Sequence, residues 1–345
     1  MKKIYFILMS CFISIQSHAW LWNSKLEGEA RVTTGSLSTD GATSYDGKVY
    51  LYGSDKNANP PPVTVIREFD LVQVPGKTSD VTDLKPTGRE IRMEKGGSSI
   101  SYPITGLTIH PKYGAVFGQS VNGVGTLHRF DFEKALATKS LKGAGVTEVA
   151  SVEGAKLHPA FAETKETSKG KTQITPRLLV ATSDTLKPEI IVLEPNLSSQ
   201  HPKFEEKKKQ RIELGSAETQ SMSFDANSGT MLLAQRASEG FGWKIQKVLV
   251  NEVFSDTHAP ERNEIFETLS GLNAAVPLPN GKTLFVTGTT ADGSVITGNR
   301  TFADQNTMGY RYSQKGAAAV TEKIKKNPGD CPGKFRRAAR NVSSH

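Results

Sequence analysis

The chain has almost no cysteine, few helix-favouring stretches, no long apolar run after its first twenty residues, and none of the common catalytic signatures. Its cysteines are Cys11 and Cys331. If Cys11 leaves with an N-terminal leader, Cys331 stands alone and no internal disulfide can staple the fold, so a large apolar core must hold it. No later window approaches about 18 consecutive apolar residues, which predicts a chain without a transmembrane segment. His-Glu-x-x-His, paired Cys-x-x-Cys, an EF-hand loop, a P-loop and Gly-x-Ser-x-Gly are all missing, which removes the usual routes to metal, phosphate and acyl-transfer chemistry. Outside the leader only Ala317 to Ile324 has helix-favouring composition. The formal charge falls from +8 to +6 once Lys2 and Lys3 are removed. No arginine stripe interleaved with aromatics accompanies that excess, so it reads as a solvated surface and no nucleic acid is expected as a partner.

What is present begins with a leader. Lys2 and Lys3, an apolar run from Ile4 to Ile15 and a Ser17-His18-Ala19 cleavage site predict a secretory signal over residues 1–19, hence a periplasmic or secreted protein. Leu8-Met9-Ser10-Cys11 supplies an alternative, a lipoprotein box in which Cys11 is acylated and retained as an anchor. Beyond it a short apolar strand, a tight turn and a second strand recur: Ala42 to Gly53 around Asp46-Gly47, Leu107 to Gly118 around His110-Pro111-Lys112, Ser221 to Ala234 around Asp225, and Ala275 to Val286 around Pro279-Asn280-Gly281. A fainter copy runs from Leu157-His158-Pro159 to Arg177–Thr182. Hairpins returning every 50 to 65 residues or so predict an all-β chain folded as a single β-propeller, with about six four-stranded blades and a range of five to seven. The alternating segment Glu27–Thr33 is expected to pair with the last C-terminal strand and close the ring.

The domain plan is therefore signal 1–19, propeller 20–324 and a basic, disordered tail 325–345. Glu163 to Thr175, polar and lysine-rich, reads as a surface insertion inside a blade. Phe204 to Arg211 reads as a solvated loop feeding a strand at Arg211 to Leu214. Tandem β-sandwiches are the rival fold.

The turn residues Asp46-Gly47-Lys48, His110-Pro111-Lys112, Phe224-Asp225 and Pro279-Asn280-Gly281-Lys282 resemble those of the YVTN-type and lactonase-like bacterial propellers, a group related in style to WD40 repeats. Asp46 to Gly53 also resembles a kelch repeat, although Ser54 stands where the second kelch glycine belongs. These motifs specify turns, and they imply a fold without transferring an activity.

The leading functional expectation is an exported binding or scaffolding module whose loops on one propeller face engage a protein or glycan, with no cofactor. The alternative follows from the resemblance, since lactonase-like and phytase-like propellers gather acidic and amide side chains from several blades around a channel metal. Calcium would be the ion, and Asp184, Glu153, Glu218 and Asn273, with Asp55 and His128 beside them, are the positions to inspect. His110 and His158, both before proline at equivalent places, read as turn builders. Cys331, with Lys334 and Arg336 near enough to favour its thiolate, reads as an exposed thiol able to pair with another chain. The tail from Lys325 offers association with anionic envelope polymers.

Overall fold

The computed structural model of the chain describes residues 30–33, 37–57, 63–73, 82–95, 98–99, 103–168, 171–183, 189–196, 203–210, 218–236, 243–250, 263–268, 272–278, 282–287 and 294–301. The expected leader, the Cys11 box, the helix-favouring stretch at Ala317, the basic tail, Asp184 and Cys331 lie outside these residues.

After β1 (Ala30–Thr33) the chain builds sheets in order. The first holds β2 (Leu37–Tyr45), β3 (Lys48–Asp55), β4 (Val63–Gln73) and β5 (Thr82–Arg92), and a small ribbon of β6 (Glu94–Lys95) and β7 (Ser98–Ser99) follows. The second has β8 (Ile104–His110), β9 (Gly114–Val121), β10 (Val124–Phe130) and, after helix α1 (Phe132–Thr138), β11 (Thr147–Glu153). β12 (Lys156–Ser168), β13 (Lys171–Ser183), β14 (Ile190–Asn196) and β15 (Lys203–Gln210) make the third. The fourth contains β16 (Glu218–Asp225), β17 (Thr230–Arg236), β18 (Trp243–Leu249) and β19 (Asn263–Thr268). The fifth joins β20 (Leu272–Pro277), β21 (Lys282–Thr287) and β22 (Ser294–Thr301) to β1.

The first strands of the sheets stand side by side in a closed ring, β2 against β8, β8 against β12, β12 against β16, β16 against β20 and β20 against β2. This is a β-propeller arrangement. The described residues form five four-stranded sheets, within the expected range of five to seven, and the expectation of about six blades is not confirmed. The expected closure is present: Ala30 pairs with Thr297 and Thr33 with Ser294, antiparallel, so the first and last described strands share one sheet.

The core lies between the sheets. β3 sends Val49 and Leu51 toward Val276, Leu284 and Val286 of the fifth sheet, and Tyr50 and Tyr52 toward Leu107, Phe117 and Phe130 of the second. A strand buried on both faces needs no polar alternation, which is why Val49-Tyr50-Leu51-Tyr52 is continuously apolar. Leu179, Ala181 and Val192 meet Met231, Leu233 and Val248 in the same way across the third and fourth sheets.

Three sequence expectations change here. α1 is a helix that composition did not mark; Asp131 caps it by accepting from the Lys134 N–H at 3.1 Å, and Phe132, Ala135 and Leu136 are buried at helical spacing. Lys203–Gln210 is strand β15, the last of its sheet, so its charges reflect an outer strand rather than a loop. The polar segment Glu163 to Thr175 is the far half of a hairpin formed by β12 and β13.

Neighbouring sheets approach so closely that some positions exclude any side chain. A methyl group at Gly118 would lie 1.9 Å from the Leu157 carbonyl oxygen of the next sheet's first strand. Gly118→Ala is expected to lower stability by roughly 2–4 kcal/mol, since backbone rather than a movable side chain blocks it; urea unfolding followed by far-UV circular dichroism measures the loss against the unaltered chain.

Candidate functional site

Among the described residues each first strand is paired on one side only, so its inner edge presents backbone groups that need partners. Neighbouring first strands supply them through short polar side chains. Thr105 Oγ1 donates to the Leu157 carbonyl at 2.6 Å, Asn273 Nδ2 to that of Thr39 at 2.7 Å and Ser44 Oγ to that of Pro277 at 2.9 Å. Ser223 Oγ donates to the Ala275 carbonyl, and Thr108 Oγ1 accepts from the Phe161 N–H at 3.0 Å. Residues 105 and 108 meet 157 and 161, while 273 and 277 meet 39 and 44. The strands joined by these pairs therefore run in the same direction, and their corresponding positions stand at one level.

At that level four of the five first strands carry a bulge. The register shifts between Thr39 and Gly41 in β2, Ile104 and Gly106 in β8, Thr219 and Ser221 in β16, and Leu272 and Ala274 in β20. The extra residues are Asp40, Thr105, Gln220 and Asn273. A bulge breaks the strict alternation and re-aims its side chain, and this level, near the start of each of these first strands, is one rim of the ring. β12 pairs without a shift and brings Lys156 to the same end, where Nζ lies 3.2 Å from Glu218 Oε1 of β16.

Asp40 differs from the other bulge residues because it is charged. Its side chain is exposed, yet desolvation raises its pKa from 3.8 to about 6. Behind it stands Tyr52, fully buried, whose hydroxyl lies over Gly41 so tightly that a methyl there would be 2.2 Å away. Burial raises the Tyr52 pKa, the nearby Asp40 adds to the rise, and a hydrogen bond with the Leu107 backbone opposes it.

The sequence candidates fall in several places. Glu218 and Asn273 are on first strands, the former paired with Lys156 and the latter bonded to Thr39. Glu153 ends β11, the outermost strand of its sheet, and is exposed. His128 lies on β10, with Nε2 3.0 Å from Thr126 Oγ1 and its ring 5.2 Å from that of Phe117. Asp55 is 7% exposed and bonded by Arg67 at 3.1 Å, within a network that continues to Glu90 and Arg92. His110 does build its turn, accepting the Lys112 N–H on Nδ1 at 3.1 Å. His158 does not: it is buried within β12, with Nε2 2.8 Å from Ser183 Oγ. Among the described residues no three His, Cys, Asp or Glu side chains gather as a metal would require.

Sequence reasoning missed Asp40, Thr105, Gln220 and Lys156. Their signal is the run of small polar residues just before each apolar hairpin, as in Ser38-Thr39-Asp40-Gly41. The pairing register decides which of them is the bulge.

Neither a family model nor a curated protein sequence matches the chain. Among solved structures it is similar to a calcium-binding protein, regucalcin, from Agrobacterium tumefaciens, at 12% identity over 79% of this chain and 93% of that one, with a TM-score of 0.45. A protein from Lactobacillus plantarum aligns at 8% identity over 80% and 84% of the two chains, with a TM-score of 0.35. The Dos1 propeller aligns at 10% identity over 82% and 77%, with a TM-score of 0.36. None of these likenesses carries a function across. The propeller assignment rests on the strand pairing and the ring of first strands.

Because Asp40 has a folded-state pKa above its unfolded value, the folded state holds its proton more tightly, and stability falls as pH rises from about 4 to 6. Above that window the penalty is fully present. Asp40→Asn should therefore raise the melting temperature at pH 7.5 by about 1–3 °C, after allowance for solvent screening, and flatten its pH dependence between 4 and 6; thermal melts across that range measure both.

Proposed function

We propose that the chain is an exported binding module that engages a protein partner at the Asp40 rim, the partner presenting a lysine or arginine side chain. The observation that carries this reading is an exposed carboxylate whose pKa is raised by burial with no cationic contribution to offset it. Thr105 and Asn273 spend their hydrogen bonds on the ring, so the acid is the rim group suited to an outside ligand. A cation arriving there would restore the interaction that burial removes, and the gain is largest in a site already shielded from water. A protein fits better than a glycan, because the exposed large apolar residues among those described are valines and an isoleucine, without an aromatic platform for a sugar ring. Export rests on the Lys2-Lys3, apolar run and Ser17-His18-Ala19 pattern.

The hydrolase alternative needs carboxylates that converge on an ion. Of its candidates among the described residues, Glu153 stands on an outermost strand and Glu218 is neutralised by Lys156.

Titration of the mature protein with arginine-containing peptides, read by calorimetry, tests the proposal. Affinity should rise as pH increases from 5 to 7.5 and fall about tenfold or more in Asp40→Asn, the scale of one shielded ion pair. Unchanged affinity in that variant overturns the reading. Chelator-sensitive turnover of lactones or phosphoesters would replace it with the calcium-dependent hydrolase.

A further inference from the structure

Asp40 borders the seam between the first and second sheets. The bulge residues of the second and fifth sheets reach the next first strand of the ring, Thr105 the Leu157 carbonyl and Asn273 that of Thr39. For Asp40 the next first strand is β8, and its charge acts on Tyr52, which hydrogen-bonds with the β8 backbone at Leu107. Asn273 meets the residue just before the bulge of β2; the residue just before the bulge of β8 is Ile104, which pairs with Gln119 of β9. Asp40 therefore stands at the level of Gln119.

β9 turns one face to this seam. Ala115 and Phe117 pack in the apolar cluster shared with Tyr50 and Tyr52 of the first sheet, whereas Val116 packs with the third sheet. Strand alternation puts Gln119 and Val121 on the same face as Phe117, and the unshifted pairing with β10 sets Val124 opposite Val121. Val121 lies two residues, roughly 7 Å, beyond Gln119, and β9 is about 4.8 Å from β8. Both valines are 36% exposed, and of the five exposed large apolar side chains among the described residues they are the two that pair with each other. The turn between them is fixed by its backbone. Asn122 and Gly123 have φ of 53° and 79°, as a two-residue hairpin turn requires, and the Gly123 carbonyl accepts from the Gly154 N–H at 2.6 Å. An apolar pair held in this way loses little freedom when a ligand covers it.

Lysine and arginine lay their methylene stems on apolar surface while their heads keep polar contacts. We propose that Val121 and Val124 are the specificity residues of the Asp40 site: the partner's basic side chain lays its stem across the two valines and brings its charged head to the carboxylate, so long-stemmed cations are preferred to compact ones. The inference rests on the reading of Asp40 given above and adds a separate requirement, stem length, to the requirement for charge.

Calorimetric titration of the mature protein at pH 7 with one peptide made in three forms, carrying lysine, ornithine or 2,4-diaminobutyrate at the same position, separates the two requirements, because the charge is kept while each form loses one methylene. The dissociation constant should rise about 5- to 10-fold from lysine to 2,4-diaminobutyrate. Val121→Ser/Val124→Ser should weaken the lysine form by about the same factor and leave the 2,4-diaminobutyrate form unchanged, which also reports that the variant is folded. Val121→Thr/Val124→Thr, which preserves the β-branched shape, should act in the same direction if thermal melts show the serine variant to be destabilised. Asp40→Asn should weaken all three forms alike. Equal affinity across the three forms, or a valine variant that retains the full dependence on stem length, overturns this inference while the acid reading stands on the Asp40→Asn result. Binding that Asp40→Asn leaves unchanged, or no binding of any form, overturns the acid reading and this inference with it.

Discussion

Closing a sheet-built ring creates five strands that are hydrogen-bonded on their outer side and open on their inner side, and the fold depends on how those open edges are satisfied. Water cannot do this freely in a narrow ring, and an unpaired buried amide or carbonyl costs about 1–3 kcal/mol. The chain meets the constraint with side chains too short to fill the ring and polar enough to bond across it. Thr105, Ser44, Ser223, Asn273 and Thr108 each tie one first strand to the backbone of its neighbour. That requirement explains why residues such as Ser38-Thr39-Asp40-Gly41 and Ser221-Met222-Ser223 occupy the centre of the molecule, where a globular core would place leucine. It also explains Gly118: carbonyls held that close leave no room for a β-carbon.

Outside the ring the problem reverses. The second and third strands of a sheet are paired on both sides and lie between neighbouring sheets, so they are apolar on both faces and provide most of the burial. The last sheet cannot be completed until β1 reaches β22, which makes one of its backbone ladders a contact between opposite ends of the chain. Pairings of such separation bring slow folding, since the loop must close before the contact stabilises it. The apolar seam formed by Leu37, Val65, Val276 and Val286 packs the first sheet on the last and is positioned to hold the ring shut.

Much of this was legible before any coordinates. Asp46-Gly47 and Asp225 to Gly229 announce their hairpins through local turn chemistry, and Asp46 and Gly47 both adopt the left-handed backbone such a turn demands. The Glu27–Thr33 alternation correctly foretold a closing strand. What was not legible depended on neighbours. Lys203–Gln210 is charged because it lies at the outside of its sheet, a position composition alone does not reveal. Blade number was not legible because hairpin lengths vary: β12 and β13 have 13 residues each, against 8 or 9 in the first hairpin, so mean spacing is a poor divisor. Asp40 was missed because a bulge is a property of two strands. Asp184 and Cys331 lie outside the described residues and keep the standing the sequence gives them.

The bulge level shows why one acid can face outward without opening the ring. In the second and fifth sheets the bulge residue donates to a carbonyl of the neighbouring first strand, Thr105 to Leu157, next to Lys156, and Asn273 to Thr39, next to Asp40. The corresponding residue of the first sheet is Asp40, and an ionised carboxylate has no proton to donate. That seam is tied from the next strand instead, since Tyr52 reaches over Gly41 to hydrogen-bond with the Leu107 backbone of the second sheet. Glycine at 41 is what lets the ring of Tyr52 pass. Asp40 is therefore relieved of the structural duty its counterparts perform. A carboxylate that burial destabilises and the ring does not require is held against its own energetics, at a position exposed to what arrives from outside.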